Sequence, residues 1–197
     1  MVRIIAGKWR SRKIVIPQAS SIRPTSDRVK EALFSSLGEK VVDARVLDLF
    51  CGAGNLGLEA LSRGARSSCF VENNAVCLRF LETNIRALEC SESSRVVRSD
   101  AVRFIESYKS SENGFDIVFA DPPYDIVTQL FTLQGNRNIL QLMVEHGIVN
   151  GFTTIVLEHG AKFAIPESLN TIMSVKTRRY GDTAVSFFQL IKKDYTQ

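Results

Sequence analysis

The sequence predicts an α/β fold in which a mostly parallel sheet carries helices on both faces. Three observations support this prediction. Short apolar runs alternate with segments of helical periodicity between residues 45 and 120. A glycine-rich turn follows the first of these runs, as in doubly wound α/β folds. Two β-rich segments close the sequence and are typical of an antiparallel pair of strands.

The first predicted elements are short. Strands from Arg3 to Ala6 and from Arg12 to Ile16 flank Gly7, which indicates a hairpin. A turn then leads into a helix whose apolar stripe consists of Val29, Leu33 and Leu37. We expect residues 1–22 to form an N-terminal extension and residues 23–197 to form the main domain.

Strands and helices then alternate along the chain. The predicted strands cover residues 45–50, 67–72, 95–98, 115–120 and 152–158. The predicted helices cover residues 55–63, 74–88, 101–108 and 126–145, the last one interrupted near Gly135 and Asn136. Strands 172–179 and 183–191 flank Tyr180-Gly181-Asp182 and form the antiparallel pair. This order predicts right-handed βαβ units in a parallel sheet.

Length and composition limit the class of protein. The 197 residues, 45% of them hydrophobic, suffice for one compact domain with a short extension. No apolar stretch approaches the length of a membrane span, and the start lacks the apolar core of a secretion signal. Free thiols are favoured over a zinc site, because C-x-x-C spacing is missing from Cys51, Cys69, Cys77 and Cys90. We therefore expect a cytoplasmic monomer without a metal.

Charge is distributed unevenly along the chain. Residues 1–30 contain eight basic residues and one acidic residue, a net charge of 8 − 1 = +7. The whole chain carries +4, so the remainder carries 4 − 7 = −3. A basic extension on a mildly acidic domain is typical of proteins that contact nucleic acid.

A glycine-rich turn joins the strand at 45–50 to the following helix. Gly52, Gly54 and Gly57 reproduce the G-x-G-x-x-G spacing, which lets a ligand approach the main chain closely. Glu72 lies 20 residues after Gly52 (72 − 52), at the end of the next strand, where it can accept hydrogen bonds from ribose hydroxyls. A dinucleotide and S-adenosylmethionine both fit such a loop.

Acidic residues at three successive strand ends discriminate between these two ligands. Asp48 adds negative charge near the turn, whereas a dinucleotide pyrophosphate needs positive potential there. Glu72 and Asp100 end the next two strands, and Asp100 can accept a hydrogen bond from an adenine amino group. The structural alternatives are a turn residue for Asp48 and a helix N-cap for Asp100. The combination favours S-adenosylmethionine.

A second motif, Asp121-Pro122-Pro123-Tyr124, follows the strand at 115–120. Proline has no main-chain N–H and favours extended geometry in the residue before it, so the two prolines end the strand. We expect both proline carbonyls to be free to accept hydrogen bonds from a ligand, beside the Asp121 carboxylate and the Tyr124 ring. This set suits a planar ring that carries an amino group. The structural alternative is a plain strand end with a turn.

With both motifs, the chain resembles the class I S-adenosylmethionine methyltransferases that act on exocyclic amino groups. More narrowly, it resembles the bacterial RsmD family, which methylates guanine N2 in small-subunit ribosomal RNA. The matching segments span nearly the whole chain and are 3–8, 23–34, 47–54, 56–60, 121–124 and 180–183. Small departures from the family pattern occur at Cys51, Asn55, Asn73 and Asn74. The resemblance implies a seven-stranded sheet that ends in an antiparallel strand.

The motifs and the resemblance together assign candidate roles. Cofactor contacts are expected at Asp48, Phe50, Cys51, Gly52, Ala53, Gly54, Gly57, Glu72, Asn73, Asp100 and Ala101. Catalysis is expected from Asp121, Pro122, Pro123 and Tyr124. Contacts to RNA are expected at Lys8, Arg10, Arg12, Lys13 and Arg28. Arg23 and Thr25 are expected at the cofactor, with RNA contact or an ordinary helix start as the alternatives.

Three other functions stay open at this point. A related amino methyltransferase acts on DNA adenine or cytosine, or on a protein glutamine through an Asn-Pro-Pro-Tyr motif. A nicotinamide-dependent oxidoreductase uses the same kind of glycine loop. An RNA-binding protein without enzymatic activity would have no need of the motif at 121–124.

Overall fold

The strands and helices of this chain fall into two groups, seen in a computed structural model that describes residues 2–18, 25–109, 114–131, 138–165, 168–169 and 172–190. The first group, here called unit 1, is Met1–Phe104, and the second, unit 2, is Ile105–Gln197. Each unit contains some of the strands and helices that were predicted to alternate along the chain. The predicted interruption at Gly135 and Asn136 lies outside the described residues, as does Arg23.

Three strands of unit 1, the third to the fifth, form a parallel set. The strands of this unit are β1 (Val2–Arg3), β2 (Lys13–Ile14), β3 (Arg45–Leu49), β4 (Ser67–Glu72) and β5 (Ser94–Arg98). Its helices are α1 (Asp27–Leu37), α2 (Asn55–Ser62), α3 (Ala75–Ala87) and α4 (Ala101–Ser107), the last of which continues into unit 2. Short 3-10 helices cover Gly38–Val41 and Ser91–Ser93. β4 pairs in parallel with β3 and with β5, so the carboxyl ends of these strands lie at one edge.

The predicted hairpin in unit 1 is shorter than expected. Only two residue pairs, Val2 with Ile14 and Arg3 with Lys13, form an antiparallel ladder. Gly7 and Ser11 have positive φ angles of 83° and 69°, so the chain turns between Arg3 and Lys13 and the ladder does not extend past that pair. Apolar side chains of this segment nevertheless pack into the core beside Leu58, Phe70, Leu81 and Ile85, and they are Val2, Ile4 and Ile14. The extension is therefore held on α2, β4 and α3 by burial of apolar surface.

Unit 2 contains parallel and antiparallel strands. They are β6 (Ile117–Ala120), β7 (Thr154–Gly160), β8 (Ser168–Leu169), β9 (Ile172–Tyr180) and β10 (Thr183–Leu190). Two helices, α5 (Tyr124–Phe131) and α6 (Ile139–Glu145), lie between β6 and β7 in the sequence. β6 and β7 are parallel, whereas β10 is antiparallel to both β7 and β9. α6 begins with a capping box between Asn138 and Gln141.

The predicted fold class is confirmed. The described residues contain the seven predicted strands, with parallel pairing of β3, β4 and β5 and of β6 and β7, and with an antiparallel C-terminal strand, β10. They also contain one further two-residue strand, β8. Two of the boundaries that differ have a clear cause. β6 begins at Ile117 because the Phe115 N–H bonds to the Ile148 carbonyl rather than to a strand. β7 extends to Gly160 because that residue pairs with Thr183 of β10.

Candidate functional site

The glycine loop of unit 1 leaves one stretch of main chain open. After β3 ends at Leu49, Phe50 and Gly52 have positive φ angles of 62° and 54°. A Cβ atom built on Gly52 would meet nothing within 4 Å, so its main chain borders free space. Glycine adopts such a conformation at little cost, which suits it to close approach by a ligand.

The other two glycines of the motif are packed against protein. A Cβ atom on Gly54 would lie 2.6 Å from Leu81 Cδ1, and one on Gly57 would lie 2.4 Å from Phe70 Cε1. The third glycine thus allows α2 to pack closely on the sheet, the role it has in the G-x-G-x-x-G motif. Gly52 is the glycine of this motif that faces space.

Two carboxylates hold the loop. Asp48 is buried, and its Oδ2 accepts a hydrogen bond of 2.8 Å from the Gly57 N–H. Glu72 Oε2 accepts from the Gly52 N–H at 2.9 Å, while Oε1 accepts from the main chain of Asn73 and Asn74. Asp48 therefore shapes the loop from inside, and half-buried Glu72 fixes it at the sheet edge.

Two carboxylates, Asp48 and Glu72, place negative charge beside Cys51 in the loop. The pKa of the buried Cys51 thiol is raised well above its usual value, first by burial and then by the charges of Asp48 and Glu72. Because these carboxylates disfavour a thiolate anion, they also disfavour a pyrophosphate at the same turn. A ligand that carries positive charge, such as a sulfonium with an ammonium group, is favoured instead.

Asp100 lies at the end of β5, as predicted. Its Oδ1 caps α4 by accepting from the N–H groups of Val102 and Arg103, so the N-cap role is present. The side chain is exposed, and both of these bonds use the same oxygen. Ala101, the first residue of α4, is buried.

A buried polar network, which the sequence did not reveal, lies beside the loop. Lys30 Nζ is 3.4 Å from Glu59 Oε2 and donates to Asn55 Oδ1 at 2.9 Å. Asn55 directly follows the glycine loop, and its Nδ2 donates to the main-chain carbonyl of buried Thr25. Lys30 was counted in the net charge of residues 1–30, but it is fully buried and unable to contact RNA. The sequence signal for this network is that Lys30 and Glu59 both lie in segments that match the family, 23–34 and 56–60.

Asn84 is a second residue that sequence reasoning missed. Its side-chain amide donates to the carbonyls of Val15 and Ala53 and accepts from the Val15 N–H. It thereby joins the extension to the glycine loop. The signal that could have found it is the position of this polar residue on the otherwise apolar face of α3, next to Ile85.

The motif of unit 2 stands where β6 ends. Asp121 follows Ala120 directly and is half-buried, Pro122 is buried, Pro123 is exposed, and Tyr124 begins α5. One expectation was wrong: the Pro123 carbonyl is not free, because it accepts a hydrogen bond of 3.1 Å from the Ile126 N–H in the first turn of α5. Helix formation immediately after the motif consumes this acceptor.

The five residues expected to contact RNA are all exposed, and they are Lys8, Arg10, Arg12, Lys13 and Arg28. Two of them are partly engaged. The Lys8 ammonium lies 4.1 Å from the centre of the Trp9 ring, and Arg12 donates to the Ala87 carbonyl.

Within the described residues, no helix is long and apolar enough to cross a bilayer. The same residues contain no group of three or more side chains suited to hold a metal ion.

The architecture is that of the class I methyltransferases. A structure of a hypothetical protein from Thermus thermophilus matches with a TM-score of 0.79 and 28% identity, covering 96% of this chain and 100% of that one. The chain belongs to the family described as "Conserved hypothetical protein 95", which matches residues 2–189 and is the predicted RsmD family.

Two relatives in this family have informative names. Ribosomal RNA small subunit methyltransferase D of Escherichia coli (strain K12) is 38% identical over 160 residues, which are 78% of this chain and 79% of the relative. The protein of the same name from Haemophilus influenzae is 38% identical over 143 residues, 71% of this chain and 74% of the relative.

Proposed function

We propose that this chain transfers a methyl group from S-adenosylmethionine to the N2 amino group of a guanine in small-subunit ribosomal RNA. The observation that carries the proposal is the Asp121-Pro122-Pro123-Tyr124 motif directly after β6, in a chain whose relatives are named ribosomal RNA small subunit methyltransferase D. The cytoplasm is the corresponding compartment, and a monomer is the simplest assembly.

The loop of unit 1 fits S-adenosylmethionine, which supplies an electrophilic methyl group when bound. The open main chain at Gly52 offers room, and the charges of Asp48 and Glu72 match a positively charged ligand. We assign Glu72 to the ribose hydroxyls and Asp100 Oδ2 to the adenine amino group. The remaining contacts are assigned to Phe50, Cys51, Ala53, Asn73, Ala101, Arg23 and Thr25. Gly54 and Gly57 pack against Leu81 and Phe70, so we assign them to the shape of the loop instead.

The motif of unit 2 has the chemistry that an exocyclic amine requires. The nitrogen lone pair of guanine N2 is delocalised into the ring, so the amine is a poor nucleophile. The Asp121 carboxylate and the Pro122 carbonyl accept its two N–H bonds, which favours a more tetrahedral nitrogen and stabilises its developing positive charge. The released proton passes to Asp121 or to water beside it. Tyr124 stacks on the base, a contact worth about 1–3 kcal/mol.

The exposed cations of the extension supply non-specific affinity. Phosphate contacts position RNA but do not select a base. Arg10 and Arg12 are assigned to the RNA backbone, together with Lys8, Lys13 and Arg28. Their neutralisation is expected to reduce the salt dependence of RNA binding.

Methyl transfer from labelled S-adenosylmethionine to small ribosomal subunits of cells that lack this protein tests the proposal. Wild-type protein is expected to label one guanine, and Asp121→Ala is expected to lose about 10²-fold or more in turnover. Cofactor affinity should be retained in this variant. Asp116→Ala, the same change at an exposed residue just before β6, should be fully active. Normal turnover by Asp121→Ala would refute the catalytic assignment.

The same assay separates the alternatives. Labelling of DNA or of a protein glutamine in place of RNA would identify a different amino methyltransferase. Thermal stabilisation by S-adenosylhomocysteine but not by NAD is expected, and the reverse result would identify an oxidoreductase. An RNA-binding protein without enzymatic activity would bind RNA and transfer no methyl group.

A further inference from the structure

The strand β9 has an outer edge that is largely uncovered. β8 pairs only with Ile172 and Met173, so from Ser174 to Tyr180 this edge has no strand partner among the described residues. Every residue from 175 to 179 is exposed. An edge of this kind presents main-chain N–H and carbonyl groups, together with its side chains, to a partner.

The exposed part of β9 is rich in cations. It contains Lys176, Arg178 and Arg179, and no acidic residue occurs between Ser168 and Gly181 in the sequence. Residues 31–197 carry a net charge of −3 in all, so a cluster of three cations has the opposite sign to the net charge of this part of the sequence. None of the three cations forms an ion pair with another described residue. By contrast, Arg3 of the extension pairs with Asp27.

The side chains of these cations alternate along the strand. Lys176 lies opposite Phe187 of β10 and Arg178 lies opposite Val185, so both belong to one face. They are two residues apart, which places them about 6.6 Å from each other along the strand. Arg179, opposite Ala184, lies on the other face. The cations therefore line the edge from both sides, which suits a linear array of negative charges better than a single small anion.

We infer that the edge of β9 is a second RNA-binding surface, at which Lys176, Arg178 and Arg179 contact the phosphate backbone of the RNA substrate. This inference rests on the proposed function, because it takes the substrate to be RNA. It adds a surface in unit 2 to the contacts assigned to the extension in unit 1. Contacts of this kind increase affinity without selecting a sequence.

Cations on an edge strand also have a protective role, since they hinder pairing with the edge of another chain. The two roles predict different behaviour when the charge is removed. Loss of a protective role produces self-association of the protein. Loss of phosphate contacts leaves the protein in its original assembly state and changes the salt dependence of RNA binding.

The test compares two triple variants of the full chain. The first carries Lys176→Gln, Arg178→Gln and Arg179→Gln, and the matched control carries Lys40→Gln, Arg79→Gln and Lys109→Gln, which removes the same charge from other exposed positions. Binding to transcribed small-subunit ribosomal RNA is measured between about 50 and 200 mM salt. Light scattering reports self-association, and methyl transfer is assayed in parallel.

The β9 variant is expected to bind RNA about tenfold or more weakly at low salt, with a log–log salt slope shallower by about 2 to 3. The control should keep the wild-type slope. An unchanged slope in the β9 variant, or equal changes in both variants, would overturn the inference while methyl transfer by the wild type upholds the proposed function. If the wild type methylates neither this RNA nor small ribosomal subunits, both proposals fail.

Discussion

Lys30 and Glu59 form a fully buried ion pair, with 3.4 Å between Nζ and Oε2. Burial lowers the pKa of the Lys30 ammonium, and the charge of Glu59 opposes that change. Glu59 also accepts from the N–H groups of Ile5 and Ala6 and pairs with Arg63. The pair thus joins α1, α2 and the start of the extension through one carboxylate, so its removal leaves several buried groups without partners.

Glu59→Gln is expected to destabilise the protein by about 3–5 kcal/mol, because it leaves the Lys30 charge buried without a counter-ion. Urea denaturation followed by circular dichroism measures this change. Asp43→Asn breaks the exposed pair with Arg66 and serves as the control. It should have little effect, since exposed ion pairs contribute little. Equal midpoints for Glu59→Gln and wild type would contradict the prediction.

Gly7→Ala is expected to loosen the extension. A Cβ atom there would lie 1.8 Å from the Ser62 carbonyl oxygen, which also accepts a hydrogen bond from the Lys8 N–H at 2.9 Å. Gly64→Ala is the matched control, because Gly64 also has a positive φ but open space around it. The control should cost about 1–2 kcal/mol of backbone strain. Gly7→Ala should cost at least about 1 kcal/mol more in the same urea titration.

Gly52→Ala and Gly57→Ala should differ in their effect on cofactor binding. Gly52 borders free space but has a positive φ, so its alanine variant should lose about 1–2 kcal/mol to backbone strain and still fold. It should bind S-adenosylhomocysteine about tenfold or more weakly. In Gly57→Ala, overlap with the Phe70 ring and Ser68 Oγ costs about 1–3 kcal/mol, more than the 0.5–1 kcal/mol or so gained in helix propensity. Calorimetric titration and thermal unfolding distinguish the two. Normal cofactor affinity in Gly52→Ala would remove that residue from the site.

Stability should fall as the pH drops below about 6.5, the unperturbed pKa of histidine. Burial lowers the pKa of His159, against an opposing hydrogen bond to the Gly160 carbonyl. Because the folded state resists protonation of this ring, the unfolded state binds more protons in that range and gains stability. The free energy of unfolding, measured between about pH 5.5 and 7.5, checks this.

Two histidine variants identify the source of that pH dependence. His159→Gln should flatten the profile, since it removes the titrating group. His146→Gln is the control for replacing a histidine elsewhere in the chain. If both variants showed the same slope as the wild type, His159 would not be responsible.

Local patterns predicted the strand ends well. The strand at 67–72 and the helix at 101–108 depend on apolar periodicity and capping within a few residues, and the structure reproduces them to within one residue. The Pro123 carbonyl was predicted incorrectly, because its partner is the N–H of Ile126 in a helix that was expected to start two residues later. Helix boundaries depend on such end contacts, which periodicity does not encode.

The sequence alone determined the α/β class, the glycine loop and the strand end at Asp121-Pro122-Pro123-Tyr124, because each depends on residues that are close together in the chain. Tertiary structure alone decided which charged side chains are exposed and which are buried. Lys30 and Glu59, 29 residues apart (59 − 30), neutralise each other only because α1 and α2 meet, and Asn84 reaches Val15 across 69 residues. A side chain's solvation depends on neighbours brought together by folding, so Lys30, one of the eight basic residues counted in segment 1–30, is buried and structural.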